Sequence, residues 1–351
     1  MATDGAPLVS ILIPCWGCRQ YIRQAMESAL NQTYENCEVI VVEDCGRDGT
    51  YEEALKVQHP RLRVYRNERN YGQYGNKNQA LKHARGPLIK YLDGDDMLFP
   101  ACVATLVKAW QEAGPGVGVV FARFVVIDVS GNRIALRSRW GLSGRCRGVA
   151  VLDWVTKLRS SGSMFGNVTP HLFHRTVLES IGGFPNDNAG PGDMETFLKL
   201  LCVTDVTFVE ERVAGYRANP EGMAKRHMGL RECVDYIAMV EHLETFFKAR
   251  PDLPAHLRDE RFMRSWRVWA SAHNIMALYQ HKLRGKPSQF DAVKAAFVER
   301  GLGEEFDRFV RRRFLPYVLR ALATKTRRAM HLPQHPNLFG RRFRREVAGG
   351  A

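Results

Sequence analysis

No stretch of this sequence is long and apolar enough to cross a bilayer as a helix, which takes about 20 residues. The longest candidate, Val117 to Val129, is interrupted by Arg123 and Asp128. The first residues, M-A-T-D-G-A-P, lack the basic start of a secretory signal, so a cytoplasmic location is expected. There is no internal repeat. Cysteine is sparse: eight in 351 residues do not make a disulfide scaffold. Only Cys15 and Cys18 lie close together, as C-W-G-C, and no second C-x-x-C completes a four-ligand zinc site. The pair has the spacing of a thioredoxin-like redox motif. The strand before it is the first of the chain, however, and the chain is far too long for such a domain. No recognition module for nucleic acid is visible, so nucleic acid is not an expected partner.

What the chain does have is ordinary globular composition, 45% hydrophobic and 25% charged, with an uneven net charge of +14. From Gly301 onward there are 12 Lys/Arg against 4 Asp/Glu. The runs R-R-R at 311–313 and R-R-F-R-R at 341–345, interleaved with Phe314, Leu315, Tyr317 and Phe343, predict peripheral contact with an anionic membrane surface. A plain solvated basic surface is the competing reading.

The most informative stretch is Leu88 to Asp96, L-I-K-Y-L-D-G-D-D. Its first half reads as a short buried strand. Three unpaired carboxylates are too costly to bury, so Asp93, Asp95 and Asp96 are expected at the rim of a sheet. In open parallel sheets that rim is where ligands bind. Such a group suits a hard divalent cation, which takes one or two carboxylates and fills its shell with water and phosphate oxygens. An acidic turn that only caps a helix near Phe99-Pro100 is the alternative.

Around it, strand and helix patterns alternate. Leu8 to Ile13 reads as a strand broken by Pro14, Gln20 to Asn31 as a helix, and Cys37 to Val42 as a strand ending in Glu43-Asp44. A short helix capped by Thr50 and a strand at Leu62 to Tyr65 follow. Asn70 to Asn76 is polar and Gly-rich, hence a loop, with a helix from there to His83. This order predicts an α/β domain with parallel strands and helices on both faces. Beyond it, Val117 to Ile127 reads as a strand, Ser138 to Gly148 as a mobile loop, and Met194 to Cys202 as a helix with Asp193 at its N-terminus. Val206 to Val209 and Val213 to Tyr216 read as two short strands. After Ala218 the pattern is helical, with helices at Leu230 to Lys248, Arg261 to His281, Phe290 to Glu299 and Phe306 to Ala323. The expected organisation is a nucleotide-binding domain over 1–218, a helical region over 219–330 and a basic tail over 331–351. His171 and His174 read as structural or surface residues.

From Leu8 to Ala218 the sequence resembles a family 2 glycosyltransferase. The resemblance rests on V-S-I-L-I-P-C-W-G, E-S-A-L-N-Q-T-Y-E-N-C-E-V-I-V-V-E-D, G-R-D-G-T, N-K-N-Q-A-L-K-H-A-R-G, Y-L-D-G-D-D, and I-G-G-F-P with G-D-M-E-T-F-L-K-L, in that order. It implies a GT-A (nucleotide-diphospho-sugar transferase) fold: a mostly parallel central sheet flanked by helices, here with a C-terminal helical extension. It also implies an inverting transfer from a UDP-sugar to a hydroxyl of a glycan or lipid-linked acceptor, with Mn2+ or Mg2+.

By the same resemblance Asp193 is the catalytic base. Pro14, Trp16, Asp44, Lys77, Asp93 and Asp95 line the nucleotide-sugar pocket, with Trp16 against the base, Asp44 at the uracil and Asp95 nearest the ribose. Asp96 and Asp95 hold the metal. The sequence departs from the family at several of these points. Gly192-Asp193 stands for Glu-Asp, so a supporting carboxylate is expected to be missing. Met194 replaces an aromatic, Lys77-Asn78 stands for Arg-Asn, Glu43-Asp44 for an Asp pair, and Asn219 for a histidine near the diphosphate. The alternative to a transferase is a non-catalytic nucleotide-sugar or anionic-polymer binding protein on the same fold.

Overall fold

The computed structural model describes residues 5–137, 142–157, 165–186, 191–218, 230–271, 275 and 288–312. The chain divides into two compact units, Met1–Leu152 with Gly162–Gly222, and Asp153–Ser161 with Met223–Ala351. Asn219 and the whole basic tail, 331–351, lie outside the described residues, as do Arg313 and part of the loop expected at 138–148.

In the first unit, β1 (Val9–Cys15), β2 (Cys37–Glu43), β3 (Leu62–Arg66) and β4 (Leu88–Tyr91) pair in parallel in the order β3-β2-β1-β4. Helices α1 (Ile22–Leu30), α2 (Thr50–Leu55) and α3 (Gly72–His83) are the crossovers. Both faces of β1 are covered, which is why it reads as a continuous apolar run. Ile11 and Ile13 pack in one core with Ile22, Ala25, Met26 and Ala29 of α1 and Val39 and Val41 of β2. Each such side chain contributes roughly 1.5–3 kcal/mol of burial. The opposite face of β1 and β2 meets α3.

Pro14 does not end the first strand, which continues to Cys15. The register with β4 stops at Leu12, while Pro14 still lies opposite Val42 of β2. A proline is tolerated there because one side of the strand no longer needs its N–H. Thr50 opens α2 but is not its cap, which is Gly49 in the left-handed region. The stretch Asn70 to Asn76 is not a loop throughout, since α3 already starts at Gly72. The reason is distant in sequence. The Asp44 carboxylate accepts the N–H groups of Tyr71 (2.9 Å) and Gly72 (2.8 Å) and so caps the helix.

The second half of the sheet is mixed. It contains β5 (Met97–Leu98), β6 (Val117–Ile127), β7 (Arg133–Arg137), β8 (Gly144–Cys146), β9 (Leu172–His174) and β10 (Asp205–Arg217). The full order is β3-β2-β1-β4-β9-β6-β10-β5, with β7 on β6 and β8 on β10. The two short strands expected after residue 205 are one long strand, irregular in register between Phe208 and Arg212 where the apolar pattern lapses. Part of the expected mobile loop is β8, whose pairing partner lies about sixty residues on. Helices α4 (Cys102–Ala113), α5 (Gly148–Lys157), α6 (Arg175–Ser180) and α7 (Gly192–Val203) complete the set. No expectation was formed for α5.

Helix α7 is anchored by Phe197, whose ring meets Phe121, Phe165 and Phe173 at 5.5, 5.8 and 6.2 Å between centroids. His171 lies inside this cluster. Its Nδ1 accepts from the Ala122 N–H, its Nε2 lies 2.8 Å from the Phe165 carbonyl, and burial pushes its pKa down to about 3. It is a neutral core residue. The second unit contains α8 (Leu230–Lys248), α9 (Glu260–Ala270) and α10 (Ser288–Glu299), with residues 303–312 also helical. Cys233, Ile237, Val268, Phe290, Val293, Phe297 and Phe306 form its core.

Arg217, at the end of β10, is the fastener of the first unit. It is 1% exposed and lies over the Tyr21 ring. Its guanidinium donates to the carbonyls of Asp95 (2.6 Å), Asp128 (2.9 Å) and Val129 (2.8 Å) and to Gln24 Oε1. With its donors committed to the protein, Arg217 is a structural residue and not the phosphate contact that its place in the sequence suggests. Arg217→Met is expected to cost about 3 kcal/mol, from unpaired carbonyls around a lost charge. An unchanged urea midpoint for this variant would remove Arg217 from that role.

Candidate active site

The parallel strands β2, β1 and β4 end side by side, so their carboxyl-end residues share one rim. Pro14 and Trp16 come from β1, Glu43 and Asp44 from β2, and Asp93 to Asp96 from the turn after β4. Trp16 is 49% exposed, an uncommon state for a tryptophan, and presents an open ring at the rim. A Cβ on Gly46 would stand 2.7 Å from Glu43 Oε1 and 3.3 Å from Trp16 Cδ1, so glycine lets the loop after β2 lie against the tryptophan. Gly94 in D-G-D-D has the same logic. A Cβ there would meet Cys15 Cβ and Cys18 Sγ at 2.8 Å each. The C-W-G-C pair is thus packed under the acidic turn, and all eight cysteines are free thiols.

The carboxylates at the rim have different surroundings. Asp44 is buried and accepts from Asn67 Nδ2 (2.7 Å) as well as from the α3 N–H groups. Asp93 is paired with Lys77, Nζ to Oδ1 2.7 Å. Asp96 is buried. Its Oδ2 accepts from Thr169 Oγ1 (2.7 Å) and Asn167 Nδ2 (3.0 Å), and its Oδ1 from the Arg217 N–H (2.9 Å). Burial, then the neighbouring charges of Asp95 and Asp93, push the Asp96 pKa well above the usual carboxylate range. Asp95 keeps a partly open surface.

These residues fit a hard divalent cation. Like charges crowd one another at the turn, and the Asn167 Oδ1 beside Asp96 is a buried acceptor without a hydrogen-bond partner. Oxygen donors of this kind suit Mg2+ or Mn2+. Oδ1 of Asp96 accepts one hydrogen bond and retains a second lone pair. Asn167 and Thr169 carried no legible signal in the sequence.

Asp193 sits in the first turn of α7. The residue keeps some open surface, but its Oδ1 is enclosed with no hydrogen-bond partner. Burial raises its pKa to about 6, opposed by the Lys77 charge and increased by Asp93. Lys77 is 1% exposed. Burial works against its charge, yet Asp93 and Asp193 hold its pKa above the ordinary value. One ammonium therefore lies in the field of both acidic groups, and the fold brings Asp193 to the Asp93–Asp96 turn across about a hundred residues.

The expected gap at Gly192 is filled. The backbone of Gly192 and Asp193 hydrogen-bonds the Tyr74 hydroxyl, and a Cβ on Gly192 would stand 2.6 Å from Tyr74 Cε2. A tyrosine on α3 takes the room that a side chain at 192 would use.

Comparison with known proteins decides the family. The family described as "Glycosyl transferase family 2" matches residues 10–171. The chain belongs to the family 2 glycosyltransferases. The match contains every rim residue named above and stops short of Asp193, whose role rests on geometry.

This glycosyltransferase chain is similar to an uncharacterized protein of Mycobacterium tuberculosis, 28% identical over 65% of this chain and 72% of the relative. It is also similar to the UDP-Glc:alpha-D-GlcNAc-diphosphoundecaprenol beta-1,3-glucosyltransferase WfaP of Escherichia coli. There the identity is 40% over 25% of this chain, and the match spans only 36% of WfaP. Among solved structures, the mannosyltransferase PcManGT of Pyrobaculum calidifontis, in complex with GDP-Man and Mn2+, superposes with a TM-score of 0.53 at 21% identity. That likeness covers 88% of this chain and 86% of the other, and it shows a shared GT-A fold.

The Asp193 environment has a consequence for stability. An unfolded aspartate ionises near pH 3.9, whereas Asp193 in the folded glycosyltransferase ionises at about 6. The folded state is therefore penalised for the charged carboxylate, not at all below the unfolded value and fully once pH has risen past the folded one. Asp193→Asn should raise the thermal midpoint at pH 7.5 and leave it nearly unchanged at pH 4. An equal effect at both values would show that the carboxylate carries no burial penalty.

Proposed function

We propose that this protein is an inverting glycosyltransferase that moves a sugar from a UDP-sugar to a hydroxyl of a glycan or lipid-linked acceptor. The observation that carries the reading is the pairing of a carboxylate with a pKa raised to about 6 and an acidic, metal-suited rim on one face of the fold. A general base works best when its pKa lies close to the working pH.

In this reading Trp16 lies against the nucleobase, with Pro14 and Asp44 shaping the same end of the pocket. Asp93 and Asp95 receive the ribose side of the donor. Asp95 and Asp96 would hold Mn2+ or Mg2+, and such a cation, when bound, offsets the negative charge that grows on the departing diphosphate. Lys77 adds a fixed positive charge at the same corner. Asp193, ionised above about pH 6, accepts the proton of the acceptor hydroxyl as that oxygen attacks the anomeric carbon from the side opposite the leaving group. The new glycosidic bond then has inverted configuration. Unlike a glycosidase pair, this arrangement needs no second carboxylic acid, because a diphosphate leaves without protonation. Among the described residues no helix is long and apolar enough to span a membrane, and the basic tail is the segment we assign to an anionic membrane surface. The UDP specificity is supported by the name of the similar WfaP, whereas PcManGT binds GDP-Man.

Two variants test the reading. Asp193→Asn should retain donor binding by thermal shift and lose sugar transfer by about a hundredfold or more. Transfer at the parent rate would exclude Asp193 as the base. Trp16→Ala should weaken binding of UDP itself by roughly 1–3 kcal/mol, the usual worth of base stacking. The outcome that counts against the pocket assignment is an affinity for UDP that does not change.

A further inference from the structure

We propose that Tyr74 is the positioning residue of Asp193: its hydroxyl receives the backbone hydrogen bonds of Gly192 and Asp193, and its ring fixes the entry to α7 so that the carboxylate faces Lys77 and Asp93. For its catalytic consequence this inference rests on the glycosyl-transfer reading above.

Three independent features meet at this residue. First, the donors that open a helix have no partner inside it and must find an acceptor elsewhere. Asp193 is in the first turn of α7, and its own side chain is a natural competitor for those N–H groups. The Tyr74 hydroxyl takes the hydrogen bonds from the backbone of Gly192 and Asp193. Consistent with that division, Asp193 Oδ1 is left with no hydrogen-bond partner although it is enclosed.

Second, the Tyr74 ring is immobilised. It is 6% exposed, stacked on Phe184 at 6.1 Å, with Lys77 Nζ 5.9 Å from its centroid. Phe184 in turn stands edge-on to Tyr91 of β4, at 5.3 Å. Asn78, one turn along the same helix, holds Phe184 from both sides: Nδ2 donates to its carbonyl (2.9 Å) and Oδ1 accepts its N–H (2.9 Å). Helix α3 therefore grips the chain leading to the base at two points.

Third, Gly192 is obligatory as long as Tyr74 is present. A Cβ at 192 would lie 2.6 Å from the Tyr74 ring and 2.8 Å from Pro185 Cγ. The groups that face Asp193 are thus Tyr74, Lys77 and Asp93. A carboxylate kept off its own helix N-terminus is kept basic, because backbone donors would stabilise its charged form.

The test uses Tyr74→Phe, which keeps the ring and removes the acceptor, and Gly192→Ala, which drives a methyl group into the ring. Two readouts are taken. One is steady-state kinetics, divided into kcat and donor KM, across pH. The other is the titration of the Asp193 carboxyl by 13C NMR, identified by its disappearance in Asp193→Asn, which needs no turnover. In both variants kcat should fall by roughly ten- to a hundredfold, as a base displaced by about an ångström costs on that order, with donor KM unchanged. The Asp193 midpoint should move down from about 6 toward the ordinary aspartate value, and the acidic limb of kcat should move with it. An unmoved midpoint in Tyr74→Phe overturns the proposal, whether kcat is unchanged or the loss appears as a raised donor KM. A moved midpoint in a protein that transfers no sugar from any donor leaves Tyr74 as the positioning residue and overturns the transfer reading instead.

Discussion

A buried cation between two acidic groups is the interaction on which the rim depends. Lys77 has almost no solvent contact, and an ammonium in such a place would lose its proton unless anions stood beside it. Asp93 at 2.7 Å and the field of Asp193 supply them. The dependence runs both ways. Without Lys77, two carboxylates from different elements would face each other across a closed space, and one would have to be protonated or expelled. The helix that carries Lys77 is itself capped by Asp44. The charge on one strand end thus fixes the helix that neutralises the charge on another.

Several substitutions that look like losses on paper are compensated in space. Gly192 removes a carboxylate but admits the Tyr74 ring, whose hydroxyl takes over the backbone donors at that turn. Lys77 in place of an arginine gives up the bidentate fork and keeps a point charge, which suits a narrow, fully enclosed position better than a planar group would. The acidic turn is likewise supported from far away: Thr169, Asn167 and the Arg217 N–H hold Asp96, and the Arg217 guanidinium holds the Asp95 carbonyl.

Local patterns were legible and distant ones were not. The run of strands and helices to residue 113, the α/β class, the helix opening at Asp193 and the helices at 230–248 and 288–299 all follow from periodicities in short windows. The places where reading failed are the places where a remote partner decides. The start of α3 depends on Asp44, the continuity of β10 on its neighbours β6 and β8, and the helix at 148–157 on packing that no local signal announces. The same division holds at the rim. Asp93, Asp95 and Asp96 stand out because carboxylates after an apolar run must leave the core. Thr169, Asn167 and Tyr74 have no such signature, because a hydroxyl or amide gains meaning only from what it touches. Gly192 was the one hint of Tyr74, visible only as the absence of an expected side chain.

The cost of this design falls on Asp193. Every other buried carboxylate at the rim has donors around it: Asp44 has three residues, Asp96 has three, and Asp93 has a salt bridge. Such groups are stabilised in their charged form and are poor proton acceptors for that reason. Asp193 is the exception, with an enclosed oxygen that nothing solvates and a pKa moved to about 6. A fold optimised for stability alone would turn that oxygen onto the nearby helix N-terminus, where backbone donors are abundant. It is held away from them, on a helix fastened by the Phe197 cluster, by a tyrosine that takes the donors first. An unsatisfied anion retained at that expense, opposite a group of carboxylates suited to a cation, is best accounted for by a proton that it has to collect.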